Sequence, residues 1–129
     1  MVDIGIGQAN SAAAPLHEVQ PICCFARTES GTILGGAVGR WWGTCCELQQ
    51  LWVAPEVRRE GIGRELLTSF ERHAIAHGCV LLFLDTFSFQ APAFYEAHGY
   101  HVEFERLGYP DGIARYHLAK QLESAGAEG

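Results

Sequence analysis

A positively charged segment with two glycines occupies residues 58–64, where the chain reads RREGIGR. It follows an apolar stretch ending at Val53-Ala54-Pro55, and it precedes apolar residues at helical spacing, so it marks the start of a helix. The first turn of a helix presents unpaired backbone N–H groups and the positive end of the helix dipole. Glycine leaves those groups uncovered, and three arginines add positive charge. The segment therefore predicts an anion site, and we expect the anion to be a phosphate of a cofactor.

The spacing of the glycines narrows the choice of cofactor. No G-x-x-x-x-G-K-[ST] run is present, which argues against a phosphate-binding lysine loop. A dinucleotide fingerprint needs a third glycine, but Leu66 stands at that place after Gly61-Ile62-Gly63, and Asn10 stands there after Gly5-Ile6-Gly7. What remains is the pattern V-x-P-x-x-R-x-x-G-x-G-x-x-L, which runs from Val53 to Leu66.

A second motif lies downstream, where residues 91–100 read APAFYEAHGY. This segment matches the pattern A-x-x-F-Y-E-x-x-G-[FY]. The two motifs, in this order, resemble those of the GNAT superfamily of N-acetyltransferases, which use acetyl-coenzyme A (acetyl-CoA). The resemblance covers roughly residues 19–120, and it implies that the first motif binds the cofactor pyrophosphate.

The resemblance implies an α/β fold with a mixed, mainly antiparallel sheet, a splay between two central strands, and flanking helices. Relatives usually have two helices between their first two strands, and this chain has too few residues for them, so the N-terminal helices are expected to be short or absent. The residue pattern itself predicts a helix from Gly61 to Gly78 and a shorter one between Ser88 and Gly99. It predicts strands at Val19–Arg27, Thr32–Arg40, Cys45–Val53, Val80–Leu84, Tyr100–Glu105 and Ala114–Lys120.

The reaction implied by the resemblance is direct attack of a neutral amine on the acetyl thioester. The resemblance assigns the general acid to Tyr95, whose phenol, with an ordinary pKa near 10, is protonated at neutral pH and can donate to a departing thiolate. The alternative is that Tyr95 only packs with Phe94. Ser88 stands where relatives often place a cofactor-contacting Asn, and helix capping is the alternative role for it.

The base is open at this point. Many relatives carry a Glu where this chain has Gln49, which cannot accept a proton at neutral pH. Glu47 acting through water and Asp85 at the end of the central strand are the two candidates. Alternatively, the amine loses its proton to water without a protein base.

The cofactor contacts implied by the resemblance involve the Cys45–Val53 strand, the glycine segment and the second motif. Backbone of the strand is expected to pair with pantetheine and to polarise the thioester carbonyl. The expected cofactor-binding residues are Leu51, Trp52, Val53, Arg58, Arg59, Gly61, Ile62, Gly63, Arg64, Ser88 and Tyr95.

The length, charge and residue composition of the chain limit its domain count, its binding partners and its location. The chain has 129 residues and is expected to form one domain, with a loose arm at residues 1–17 and a frayed tail at residues 123–129. A net charge of −6 argues against nucleic-acid binding, and no apolar run is long enough to span a membrane, so a cytoplasmic location is expected. The five cysteines are expected to be reduced, and the six scattered histidines give no metal-ligand spacing.

These features favour acetyl transfer to the primary amine of a small molecule. A CoA-binding regulatory module without transfer activity and a peptide or protein N-acetyltransferase are the alternatives. The missing N-terminal helices leave apolar surface beside the acceptor pocket, which Trp41, Trp42 and Trp52 are candidates to line. A homodimer is expected to bury this surface, with pairing at the edge of the final strand as a further feature in its favour. The alternative is a monomer in which residues 1–18 fold over the gap.

Overall fold

The structure is a computed structural model, and it describes residues 18–123. The arm expected at residues 1–17 lies outside the described residues, as does the expected tail apart from residue 123.

The described chain alternates between strands and helices as the sequence pattern predicts. The strands are β1 (Gln20–Arg27), β2 (Ile33–Trp42), β3 (Cys45–Val53), β4 (Leu81–Phe87), β5 (His101–Arg106) and β6 (Arg115–Gln121). The helices are α1 (Ile62–Ala76) and α2 (Pro92–Glu96), and short 3-10 turns occupy Pro55–Val57 and Pro110–Gly112.

The expected element bounds are correct for β3 and differ most around β4 and α2. β4 continues beyond Leu84 because its last residues stay paired with β6, where Asp85 faces His117 and Phe87 faces Arg115. The helix does not begin at Ser88, and no side chain caps it. The hydroxyl oxygen of Ser88 instead accepts a 3.0 Å hydrogen bond from the Ala114 amide, so the capping interpretation is wrong.

The strands form one sheet in the order β1-β2-β3-β4-β6-β5. β1, β2 and β3 make the antiparallel meander predicted from the sequence, and β3 and β4 form the parallel pair. Only Cys45–Glu47 pairs with Leu81–Phe83, and the two strands separate beyond those residues. This is the expected central splay. The final strand β6 is not at an edge, however, because β5 lies outside it.

A bulge in β3 precedes the part of the strand that separates from β4. Val38 of β2 faces Gln50 and the next residue, Gly39, faces Leu48, so Gln49 has no partner in the ladder. A bulge bends a strand and increases its local twist. A Cβ atom on Gly39 would lie 2.0 Å from the Glu47 carbonyl oxygen, so only glycine fits beside this bend.

The hydrophobic core lies between α1 and one face of β1, β2 and β3, and it continues beneath β4 and β6. The helix buries Leu66, Leu67, Phe70 and Ala74. Cys24, Cys46 and Cys79 are buried small side chains, whereas Cys23 and Cys45 are exposed, and all five are free thiols. Burial raises the pKa of Cys46 to about 12, which keeps it a protonated thiol at neutral pH. Within residues 18–123, no helix is long and apolar enough to cross a membrane.

Candidate active site

Two grooves open where β3 separates from β4, and they meet at Tyr95. The first has a volume of about 570 Å³ and runs between the end of β3, the loop before α1, and α2. It is lined by Leu51, Trp52, Val53, Val57, Arg58, Arg59, Gly61, Ile62, Gly63, Arg64, Ala91, Phe94 and Tyr95. The structure thus brings together ten of the eleven residues expected to bind the cofactor. The exception is Ser88.

The start of α1 forms one wall of this groove. The first hydrogen bond of the helix runs from the Glu65 amide to the Gly61 carbonyl over 3.1 Å, so the amides between these two residues have no partner within the helix. Gly61 has a φ of +84°, in the left-handed region that glycine tolerates best. A Cβ atom on Gly63 would lie 3.7 Å from side chains of Val53 and Phe94, so it would occupy the groove without a clash.

The electrostatics of the first groove suit an anion. Three arginines line it, and none of the described residues lining it is acidic. The Nε of Arg58 donates a 3.3 Å hydrogen bond to the Val53 carbonyl, which links the loop to the end of β3. Arginine side chains and the unpaired amides of a helix start are the donors that bind phosphate in proteins. The residues present therefore fit a diphosphate.

The backbone of β3 supplies the opposite wall. The Ala54 amide donates to the Leu34 carbonyl of the β2 side over 2.7 Å. Because successive amides of a strand point to alternate sides, the amides of Leu51 and Val53 point toward the gap that opens before β4. An extended, amide-bearing ligand fits between the two strands there.

Tyr95 stands at the junction, because it lines both grooves. It belongs to α2, its ring makes an edge contact with Phe94 at 5.2 Å between centroids, and another with Tyr100 at 5.9 Å. Burial raises the pKa of Tyr95 to about 12. Its hydroxyl is therefore protonated throughout the neutral and mildly alkaline range. Tyr95 packs with Phe94 and also lines both grooves, so the packing contact is compatible with a further role at their junction.

The second groove, of about 550 Å³, lies on the other side of Tyr95 and is polar. It is lined by Gln49, Gln50, Leu51, Trp52, Asp85, Thr86, Gln90, Ala91 and Tyr95. Sequence reasoning did not single out Thr86 or Gln90. The Gln90 side-chain oxygen accepts a hydrogen bond from the Thr86 hydroxyl at 3.0 Å and another from the Phe87 amide at 2.8 Å. Thr86 and Gln90 thus close the turn after β4. Their place in this groove can be recognised only when the end of β4 is known to lie at Phe87 and not at Leu84.

The candidate bases have different environments. Glu47 lies outside both grooves, in a depression that also contains Trp41 and Trp42, and it accepts a 3.0 Å hydrogen bond from Arg40. The structure therefore does not bring Glu47 together with Tyr95. Of the three tryptophans, Trp52 alone lines the grooves described above.

Asp85 is the only acidic residue among the described residues that line either groove. One of its oxygens accepts a hydrogen bond from Arg115, and the other lies 2.7 Å from Nδ1 of His117. Each oxygen of Asp85 thus has one polar side chain within hydrogen-bond distance.

Comparison with known proteins agrees with this geometry. The family model described as "Acetyltransferase (GNAT) family" matches residues 7–100. Blasticidin-S acetyltransferase of Streptomyces morookaense is 33% identical over 112 residues, which span 84% of this chain and 82% of the relative.

Solved structures share the fold. An acetyltransferase from Bacillus cereus ATCC 14579 superimposes with a TM-score of 0.83 at 31% identity, over 94% of this chain and 89% of that one. A protein from Agrobacterium tumefaciens gives a TM-score of 0.75 at 24% identity, over 89% and 92% of the two chains. The family match, the curated relative and the splayed sheet agree: the chain belongs to the GNAT family and is an acetyl-CoA-dependent N-acyltransferase.

Proposed function

We propose that this protein transfers the acetyl group of acetyl-CoA to a primary amine of a small molecule, by direct attack within a ternary complex. The observation that carries the proposal is the position of Tyr95 between a cationic groove and a polar groove. Cofactor and acceptor then approach one protonated hydroxyl from opposite sides.

The cationic groove is the cofactor site in this proposal. Arg58, Arg59, Arg64 and the amides of Ile62 and Gly63 hold the diphosphate. The amides of Leu51 and Val53 bind the amide-bearing arm of CoA and polarise the thioester carbonyl. Ser88 is left out of this set because it lies outside both grooves and is bonded to Ala114.

Bound acetyl-CoA supplies the activated acyl group, and the chain manages position and protons. The amine attacks the thioester carbon as a neutral nucleophile, so a C–N bond forms and the C–S bond breaks. The Tyr95 hydroxyl would donate its proton to the sulfur of the leaving group, and the Tyr95 phenolate would then recover a proton from solvent. One proton of the attacking nitrogen passes to water in this proposal, because neither Gln49 nor Gln50 accepts protons and Asp85, which contacts Arg115 and His117, is assigned to binding and not to proton transfer.

The small-molecule acceptor is favoured by the relative whose name specifies blasticidin-S, an individual compound. The direct test is incubation with acetyl-CoA and a panel of small amines, with short peptides as a separate arm, while free thiol is measured. Turnover on small amines but not peptides is expected, and it should fall strongly in Tyr95→Phe. Turnover confined to peptides would replace the acceptor assignment, and failure to bind CoA in calorimetry would reject the proposal.

A second candidate function is CoA binding for regulation, without transfer. The pair Gln49-Gln50 favours it, since these amides line the second, polar groove (the acceptor groove of the proposed function) without offering a base. Tight CoA binding with no turnover on any amine would support this function over transfer. In that case Tyr95→Phe should leave the cellular role intact.

A further inference from the structure

A third depression, of about 260 Å³, adjoins the acceptor groove on the side of β5 and β6. It is lined by Asp85, Phe104, Arg106, Arg115 and His117. Asp85 also lines the acceptor groove, so the two spaces meet at its carboxylate. A molecule in the acceptor groove can therefore extend past Asp85 into this depression.

Two arginines face each other in this depression. Arg106 of β5 is the direct ladder partner of Arg115 of β6. Like charges at directly opposed positions destabilise a pair of strands. Asp85 offsets one of them, because it accepts a hydrogen bond from Arg115.

Arg106 is not offset in the same way. Its guanidinium lies over the Phe104 ring, 5.2 Å from the centroid, and within residues 18–123 it has no ion-pair partner. Glu103 is nearby on the same strand, but its carboxylate lies 3.8 Å from Nε2 of His117 and does not line the depression. Among the Asp, Glu, Lys and Arg side chains that line the depression, the two guanidiniums exceed the single carboxylate by one positive charge. A single monovalent anion would balance them.

The order of charges along this path is specific. Tyr95 is at the inner end, the anionic Asp85 is in the middle, and the cationic Arg106 and Arg115 are at the outer end. We propose that the acceptor is an amino-acid-like molecule, whose amine lies between Asp85 and Tyr95 and whose carboxylate binds Arg106 and Arg115. A planar carboxylate matches the guanidinium fork and carries the single charge that the depression needs. This inference rests on the proposed transferase function, since it names the class of acceptor.

The test compares acceptors that differ only in the carboxylate, namely phenylalanine with phenethylamine and lysine with cadaverine. Phosphoethanolamine and ethanolamine form a third pair, which separates a phosphate site from a carboxylate site. Each pair is measured with the parent protein, Arg106→Gln and Arg27→Gln. Arg27 is the matched control because it stacks on Phe25 at 5.7 Å on the other edge strand, outside the three grooves.

The parent is expected to favour the carboxylate-bearing member of each amino-acid pair by roughly tenfold or more in kcat/KM, as a charge-assisted contact would give. Arg106→Gln should reduce that preference by raising KM for the carboxylate-bearing member of each pair, and Arg27→Gln should keep it. No preference in the parent, an equal loss on both members of a pair, or a preference confined to phosphoethanolamine would overturn the carboxylate assignment.

A binding measurement keeps this inference separate from the proposed function. The CoA-saturated protein is titrated with phenylalanine while the Nε–H signal of Arg106 is followed by NMR, with phenethylamine as the control. A saturable shift for phenylalanine alone supports the carboxylate site even if no amine is acetylated, which would reject transfer. Absence of that shift rejects the carboxylate site, even if amines are acetylated.

Discussion

The Tyr100 hydroxyl donates a 2.8 Å hydrogen bond to the Glu71 carboxylate, which joins the segment after α2 to the middle of α1. Lys120 of β6 donates to the same carboxylate, at 3.1 and 3.2 Å. Tyr100 is 1% exposed, so this polar group is held inside the protein. The three residues tie the helix on one side of the splay to the strands on the other side.

We expect Tyr100→Phe to lower the free energy of unfolding by roughly 1.5 to 3 kcal/mol, because the change removes a hydrogen bond to a charged group. Urea unfolding followed by fluorescence measures this loss. Tyr116→Phe is the control, since Tyr116 also packs against the core and its hydroxyl makes no hydrogen bond with another of residues 18–123. Equal stability losses in the two variants would contradict a special role for the Glu71 contact.

Gly63→Asp is expected to raise the Kd for CoA roughly 100-fold or more, because a carboxylate would occupy the place assigned to phosphate and repel it. The fold should persist, since a Cβ atom at residue 63 makes only ordinary contacts. Isothermal titration with CoA measures the change, and Gly63→Ala serves as the uncharged control. Arg58→Ala should cost less, because an exposed charge contributes little. If Gly63→Asp binds CoA like the parent, the phosphate assignment is wrong.

The pH dependence of turnover should reflect the environment of Tyr95. A general acid must be protonated, and burial raises the pKa of Tyr95 to about 12, so acid function is lost only as the pH rises toward that value. The amine must be neutral, so kcat/KM should rise with pH and then stay level up to about pH 10. A pH–rate profile with acetyl-CoA in excess tests this. A descending limb below about pH 10 that disappears in Tyr95→Phe would contradict it.

The Asp85→Asn variant distinguishes a role of Asp85 in binding the acceptor from a role as general base. If Asp85 attracts the acceptor ammonium, KM should rise roughly tenfold with kcat little changed. A general base would instead lower kcat by roughly 100-fold or more. Glu105→Gln is the control, because Glu105 is exposed on β5 and lines none of the grooves described above. Melting curves of both variants check that the freed Arg115 does not unfold the edge of the sheet.

The homodimer remains a prediction. The β5 edge strand is exposed at all six residues, including Phe104 at 54%, and Trp42 and Trp52 are 40% and 42% exposed. Light scattering is expected to give about twice the 14.1 kDa of one chain. A mass near that of one chain would rule the dimer out. Removal of residues 1–12 should leave activity largely intact if a second subunit, and not the arm, covers this surface.

The sequence predicted which residues come together in the first groove, because those residues belong to two continuous motifs. A strand, a glycine turn and a helix start follow each other along the chain, so local pattern alone places Val53, Arg58 and Gly63 together. Glu47 did not join the site, because pairing with Arg40 holds it elsewhere, beyond the bulge at Gln49.

The third depression was harder to predict because its lining depends on strand register. Arg106 and Arg115 become neighbours only through the pairing of β5 with β6, and Asp85 meets His117 only through the pairing of β4 with β6. No local pattern encodes these partners. For the same reason β6 was wrongly predicted to lie at an edge of the sheet, since the order of β5 and β6 in the sheet cannot be read from their order in the chain.

Because β3 and β4 pair over only three residues each, the two halves of the sheet are joined by hydrogen bonds at one end only. Three residue pairs at one end join the meander to the three strands that follow it in the sheet, and no ladder hydrogen bond joins β3 to β4 beyond them. The contacts of Glu71 with Tyr100 and Lys120 connect α1, which packs on the meander, to the other half of the sheet. A molecule that bridges the opening would stiffen both parts together. Amide hydrogen exchange should therefore slow even in β1, which lies two strands away from the opening.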